Sequence, residues 1–333
     1  MHRIPFLLLC LVFAGVGISA GQDTKNRATR IESGQPDLQG VWNYSSAVPL
    51  QRPAAFAGKK VVTKEEFEKQ RAMLLNALGA IVKIVPVEAV GLDWMDSTPR
   101  VEDLRTSLIS YPENGRLPAL LEGVRRMPGP EDFLALIADS KGGPPPAALG
   151  ALLAAFTGGK KDSHKDFNLS ERCLFGAQVP FVPQLDGNYV KIVQGPDHVV
   201  LVTDFTRRIV ALGPRSAPGE AQGSWSGTSQ GHWEAETLVV ETKNFNGRLP
   251  SFAGAGTSLD KVVTERFTRT STNTIEYAAT VVDPKTFKDR IELSFPMTVV
   301  DARIYEAACH EGNYSLPLAL SGARKQEEAT KVQ

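Results

Sequence analysis

The feature that most constrains this chain is a period of two in its second half. From Glu171 onward, short apolar runs follow one another with polar turns between them and no helical pattern in the gaps. Val263, Glu265, Phe267 and Arg269 alternate with polar partners, residues 271–273 turn the chain, and Ile275, Tyr277, Ala279 and Val281 alternate again before Asp283 and Pro284. Ile291, Leu293, Phe295 and Met297 then share one face, and residues 303–307 read as one more short strand. Successive side chains on a strand point to opposite faces, so this spacing belongs to half-buried strands. Upstream, residues 199–203, 208–212 and 237–242 are β-branched runs, the last of them after a polar turn at 234–236. Strands joined by tight turns pair antiparallel, and the lack of intervening helices argues against a parallel Rossmann or TIM arrangement. A meander this long closes on itself rather than expose its edges. The fold class expected is therefore mainly β: an antiparallel meander closing into a barrel or rolled sheet. No repeat of fixed period points to a propeller or a solenoid.

The first half has a different period. Thr63 and Glu66 have the spacing of a capping box, and Phe67, Leu74, Leu78 and Ile81 recur at helical intervals, which predicts a helix over about 64–78. Pro130, after Gly129, opens a second short helix over 131–138. Residues 147–156 lie between Gly142-Gly143-Pro144-Pro145-Pro146 and Gly158-Gly159, as a small buried helix between hinges or a flap over the main body. The expected organisation is one β-rich domain over 36–325 with a helical cap or insertion at about 61–166, preceded by a flexible leader over 21–35 and followed by a tail over 326–333.

The amino terminus points to export. His2 and Arg3 precede an almost wholly apolar run over 4–18, and Ser19, Ala20 and Gly21 supply the small residues that a signal peptidase needs, so residues 1–20 are expected to be a signal peptide and the protein to be secreted or periplasmic. The run is shorter than the roughly 20 apolar residues that span a bilayer, and no transmembrane segment is expected in the mature chain. Of three cysteines, Cys10 leaves with the signal peptide, and Cys173 and Cys309 remain as a pair expected to form a disulfide in an oxidising compartment. Lys+Arg and Asp+Glu both number 37, which leaves no net field to attract nucleic acid.

Taken together, several motifs carry a resemblance. Pro36-Asp37-Leu38-Gln39-Gly40-Val41-Trp42, Arg105-Thr106-Ser107-Leu108-Ile109, Glu171-Arg172-Cys173, Ile192-Val193-Gln194-Gly195-Pro196-Asp197, Trp225-Ser226-Gly227, Trp233-Glu234, Glu265-Arg266-Phe267-Thr268-Arg269 and Ala308-Cys309-His310-Glu311-Gly312-Asn313-Tyr314 occur in order over nearly the whole mature chain. The set resembles a large family of uncharacterised secreted bacterial proteins. The resemblance implies export, paired cysteines and a β-rich body, and it carries no activity with it. This chain departs from the family pattern in having Ala235-Glu236 where a Gly-Asp turn is usual, Pro214-Arg215-Ser216 where an Arg-Pro-His run is frequent, and a long Ala/Gly/Pro-rich stretch before Glu171.

The sequence has no H-E-x-x-H, P-loop or strand-borne G-x-G-x-x-G. After export, His164, His198, His232 and His310 are the remaining histidines, and no two share a ligand spacing, so neither a metal nor a cofactor is expected. His310, beside Glu311 and tethered through Cys309, is the candidate general acid or base. Arg105 is the candidate grip for a carboxylate or sulfate, against the alternative of a salt bridge to the sheet. Trp225 and Trp233 flank a Gly/Ser/Thr-rich run and are candidates to stack on a ligand, against the alternative of core packing. Two functions follow as expectations. One is a secreted binding or carrier barrel for an apolar or carbohydrate-like small molecule; the other is a secreted lyase, isomerase or hydrolase using His310 and Glu311.

Overall fold

The computed structural model describes residues 29–69, 72, 103–127, 161–167, 169, 171–174, 178–184, 187–213 and 223–331. The expected signal peptide, most of the 64–78 helix, the 131–138 and 147–156 helices and Pro214-Arg215-Ser216 lie outside them. Ten strands are described: β1 (Gly40–Asn43), β2 (Ile109–Tyr111), β3 (Tyr189–Gln194), β4 (His198–Val202), β5 (Arg207–Leu212), β6 (Thr228–Glu234), β7 (Thr237–Lys243), β8 (Val262–Ser271), β9 (Thr274–Val282) and β10 (Ile291–Val300).

The sheet closes. Its order is β1-β3-β4-β5-β6-β7-β8-β9-β10, and β1 also pairs with β10, so nine strands form a ring while β2 adds to the free part of the β10 edge. Strict alternation of direction around a ring needs an even number of strands. Nine strands can close only with a parallel joint, and it lies between β5 and β6, where Val210 faces Ser229 and Leu212 faces Gly231. The expected barrel is formed, and it is mixed at this one joint; the other joints of the ring are antiparallel. The β5–β6 connection is longer than a tight turn, which is what lets β6 enter beside β5 in the same direction.

The period of two is realised as barrel interior and exterior. Ile275, Tyr277, Ala279 and Val281 of β9 and Ile291, Leu293, Phe295 and Met297 of β10 are all buried, and β8 places Val263, Glu265 and Phe267 in phase with them. In the middle of the barrel, Tyr44, Phe181, Phe267, Tyr277 and Phe295 pack with ring centroids 4.9–6.4 Å apart. The chain's own aromatic side chains therefore fill this layer, as in other small barrels.

Some elements differ from the sequence reading. Residues 303–307 are not a strand, because the chain leaves the barrel after Val300 and Ala307 instead donates its N–H to Asp204 O at 2.9 Å. The chain ends in a helix, Ser315–Lys331, which crosses the boundary expected at 325. Residues 64–69 are helical, and the Thr63 and Glu66 capping box is formed in both directions, at 3.2 and 2.8 Å. Order begins before residue 36, since Arg30 bridges to Pro36 and ion-pairs with Glu236 on the β6–β7 turn.

Candidate functional site

Charged residues standing in phase with apolar ones make the most unusual part of this barrel. Glu265 lies between Val263 and Phe267 on the inward face of β8, and Arg208 precedes Val210 on the inward face of β5; they are 0% and 4% exposed at their side chains. Arg208 donates to both carboxylate oxygens of Glu265, from Nη1 to Oε2 and from Nη2 to Oε1 at 2.9 Å. Tyr277 donates its hydroxyl proton to Glu265 Oε1 at 2.8 Å and accepts from the Phe181 N–H at 2.9 Å. Thr242 Oγ1 lies 3.5 Å from Arg208 Nη1 and 2.8 Å from Ser229 Oγ. Burial alone would pull the Arg208 guanidinium down, but the charge and hydrogen bonds of Glu265 hold it above its ordinary value. Burial, then the Glu265 charge, push the Tyr277 phenol well above its usual range, so Tyr277 stays a neutral donor.

A second polar group lies at what we term the lower end of the barrel, where β3, β5, β6, β8 and β10 begin. Lys261 continues the inward face of β8, and Asp283 continues that of β9. The β8–β9 register pairs Val263 with Val281, so its extension sets Lys261 opposite Asp283. Lys261 Nζ donates to Val179 O at 3.0 Å and to Ser251 O at 2.8 Å, and lies 4.4 Å from the Phe245 ring centroid. Its pKa is pulled down to about 8 by burial, against the opposing charges of Asp283 and Glu265 and with a smaller contribution from Arg208. In the segments that flank it, Ser251 Oγ, Ser258 Oγ and Asp283 Oδ2 are buried with no hydrogen-bond partner, in residues at most 2% exposed. An unpaired buried polar atom costs about 1–3 kcal/mol.

The residues singled out in the sequence are spread over the molecule. Cys173 and Cys309 stand at bonding distance, with Cα atoms 5.6 Å apart and a sequence separation of 136. His310 and Glu311 follow on an exposed turn, near the lower end, since the preceding segment is tied to Asp204 in the β4–β5 turn. Arg105 lies against the outer face of β10: its fork meets Asp103 at 2.6–3.0 Å and Nη1 donates to Ser294 Oγ at 2.9 Å. Burial works against the Arg105 charge, and Asp103 more than restores it. Trp233 is on the inward side near the upper end of β6, packed against the core with Nε1 buried and unpaired. Trp225 precedes β6 at the lower end, half-buried, with the Arg248 guanidinium 5.9 Å from its ring centroid. The two tryptophans thus stand at opposite ends of one strand rather than on a common surface.

The sequence reading passed over Arg208, Lys261, Ser251, Ser258, Tyr277 and Asp283 as site residues. A signal for three of them was available: Arg208, Lys261 and Asp283, like Glu265, each fall in the buried phase of an alternating run, where a charge needs a partner. Ser251 and Ser258 lie in a loop with no periodicity to mark them. Among the described residues, no group of three or more His, Cys, Asp or Glu could hold a metal ion, and no helix is long and apolar enough to cross a membrane.

Fold and interior together define a class: a closed, nine-stranded mixed β-barrel whose core carries a hydrogen-bonded ionic network ending in an unsaturated polar cluster. Comparison with family models, with curated proteins and with solved structures finds no match.

Proposed function

We propose that this protein is an exported small-ligand-binding or carrier barrel whose ligand sits at the lower end, among Lys261, Ser251, Ser258 and Asp283. The observation that carries the reading is the set of three buried polar atoms without partners in the segments that flank a buried ammonium. Stable proteins rarely leave such groups unpaired, and a ligand that pairs with them converts their penalty into binding energy. The filled aromatic layer supports a ligand at the end of the barrel rather than in its middle. The amino-terminal pattern of residues 1–20 and the Cys173–Cys309 pair support export, and the ordered motif set supports membership of the secreted bacterial family.

A thermal-shift screen of the purified protein against sugars, polyols, fatty acids and carboxylates tests the reading, because a molecule that binds only the folded state raises the midpoint by mass action. A reproducible, concentration-dependent rise with one class supports it; an unchanged midpoint with every class overturns it.

A further inference from the structure

We propose that the lower end of the barrel binds a small, neutral, polyhydroxylated molecule, a sugar or polyol, through Lys261, Asp283, Ser251 and Ser258. This rests on the binding reading above and narrows its ligand class. Formal charge carries the first step. Among the described residues, the inward faces of β5, β8 and β9 and their extensions carry two cations, Arg208 and Lys261, and two anions, Glu265 and Asp283. Arg208 and Glu265 neutralise each other by direct contact, and Lys261 and Asp283 stand across from each other in register. An anionic ligand would add a charge beside Asp283 and Glu265, and a cationic one beside Lys261 and Arg208, in each case with no free counter-charge in a low-dielectric site.

Hydrogen-bonding capacity carries the second step. An ammonium has three donors, and Lys261 directs two of them to the carbonyls of Val179 and Ser251. The unused capacity is then one donor from Lys261, one acceptor at Asp283 Oδ2, and the hydroxyls of Ser251 and Ser258, which both donate and accept. A hydroxyl-bearing molecule can bond to all four groups, whereas an apolar one satisfies none. Aromatic side chains belong to the same region: Phe245 lies under Lys261, and Phe287, whose N–H donates to the backbone O of Asp283 at 3.0 Å, is buried. Aromatic rings facing polar groups suit the alternating C–H and O–H surfaces of a sugar.

The test is titration calorimetry of the purified protein with D-glucose, trehalose and myo-inositol, beside sodium acetate, inorganic phosphate, putrescine and lauric acid. The proteins compared are the wild type, Ser251→Ala, Ser258→Ala and Asp283→Asn, with Arg105→Ala as a control remote from the site. Removing a buried hydroxyl that has no partner leaves the fold intact, so the serine variants report on binding even where Asp283→Asn folds poorly. At least one of the three neutral probes is expected to bind, and each serine variant to weaken it by about tenfold, with Arg105→Ala unchanged. Lauric acid binding that ignores the serine variants would overturn this inference and leave the carrier reading standing. Preferred binding of acetate, phosphate or putrescine would overturn the neutral-ligand step. Silence from all seven probes, with the serine variants as stable as wild type, would mean that ordered water alone fills the cluster and would overturn both.

Discussion

Glu265 shows how one residue sets the character of the interior. Its carboxylate is fully buried, chelated by Arg208 and capped by the Tyr277 hydroxyl, so each of the three is satisfied only while the others are present. Glu265→Gln keeps the shape and the acceptor for Tyr277 but leaves a buried guanidinium without a counter-charge. It is expected to lower stability by about 3–5 kcal/mol in urea denaturation, while Arg208→Met combined with Glu265→Gln loses much less than the sum of the single changes. Additive losses would show that the pair is not coupled. Lys261 gives a pH signature of its own. Its folded-state pKa, about 8, lies below the ordinary 10.5, so the unfolded chain binds more protons between those values and stability rises with pH across that window. The penalty, about 3 kcal/mol, is present in full below about pH 8 and relieved towards pH 10.5. The groups that act on the ammonium are Asp283, Glu265 and Arg208. Comparing wild type with Lys261→Met at pH 7 and pH 10 isolates the effect: the wild type gains stability relative to the variant, and an equal pH response in both would refute the burial of the charge. At the surface, Ala235 in the two-residue β6–β7 loop has φ of +51°, a conformation that costs an L-residue about 1–2 kcal/mol and glycine little. Ala235→Gly is therefore expected to raise stability by about 1 kcal/mol, read as a higher melting midpoint.

At the scale of elements, the disulfide pair joins the segment before the barrel's main run of strands to the segment after it. A link across 136 positions removes about 5 kcal/mol of freedom from the unfolded chain in the loop-entropy treatment. Intact mass without reduction should show two hydrogens fewer than the free-thiol chain, and Cys173→Ser should lower the unfolding midpoint; free thiols in the native protein would contradict both. Strand existence was legible because β8, β9 and β10 carry uninterrupted two-residue alternation, and the tight β8–β9 turn makes those two neighbours. Closure was legible in outline, since a long meander cannot leave its edges open. The parallel β5–β6 joint was not, because strand direction across a long connection leaves no periodic trace, and the closure of β1 onto both β3 and β10 depends on a four-residue strand far away in sequence. Residues 303–307 were misread because β-branched and aromatic composition alone does not supply a neighbour: β10 is already flanked by β9 on one side and by β1 and β2 on the other. The site suffered in the opposite way. Motif-like clusters such as His310-Glu311 drew attention, although the ionic residues of the interior were marked only by their phase within strands.

For the whole molecule, the decisive contact is the one that turns a sheet into a barrel. β1 is short, yet it pairs with β3 on one side and β10 on the other, and it brings Leu38 and Trp42 into the core, both fully buried, with Trp42 Nε1 donating to Leu38 O at 2.9 Å. Arg269 at the end of β8 ties this corner down by donating to Asp37 O at 2.6 Å. A chain lacking residues 1–44 loses the closing strand, exposes the β3 and β10 edges together, and removes Tyr44 from the central aromatic layer. It is expected to lose cooperative unfolding and to associate, because open edges pair with any available strand. The carboxyl-terminal segment behaves differently. Beyond Val300 the chain bonds to Asp204, to Glu171 and Cys173, and to residues 161 and 162 through Arg324, and Tyr305, Tyr314 and Leu318 remain exposed. A chain ending at residue 300 keeps all nine strands of the ring and is expected to unfold in one transition at a lower midpoint, with a loss close to that of Cys173→Ser. Far-ultraviolet circular dichroism through a urea series, with light scattering alongside, separates the two truncations. If the amino-terminal deletion unfolds cooperatively as a monomer, or if the carboxyl-terminal deletion does not, then closure by β1 is not what makes this sequence one cooperative unit.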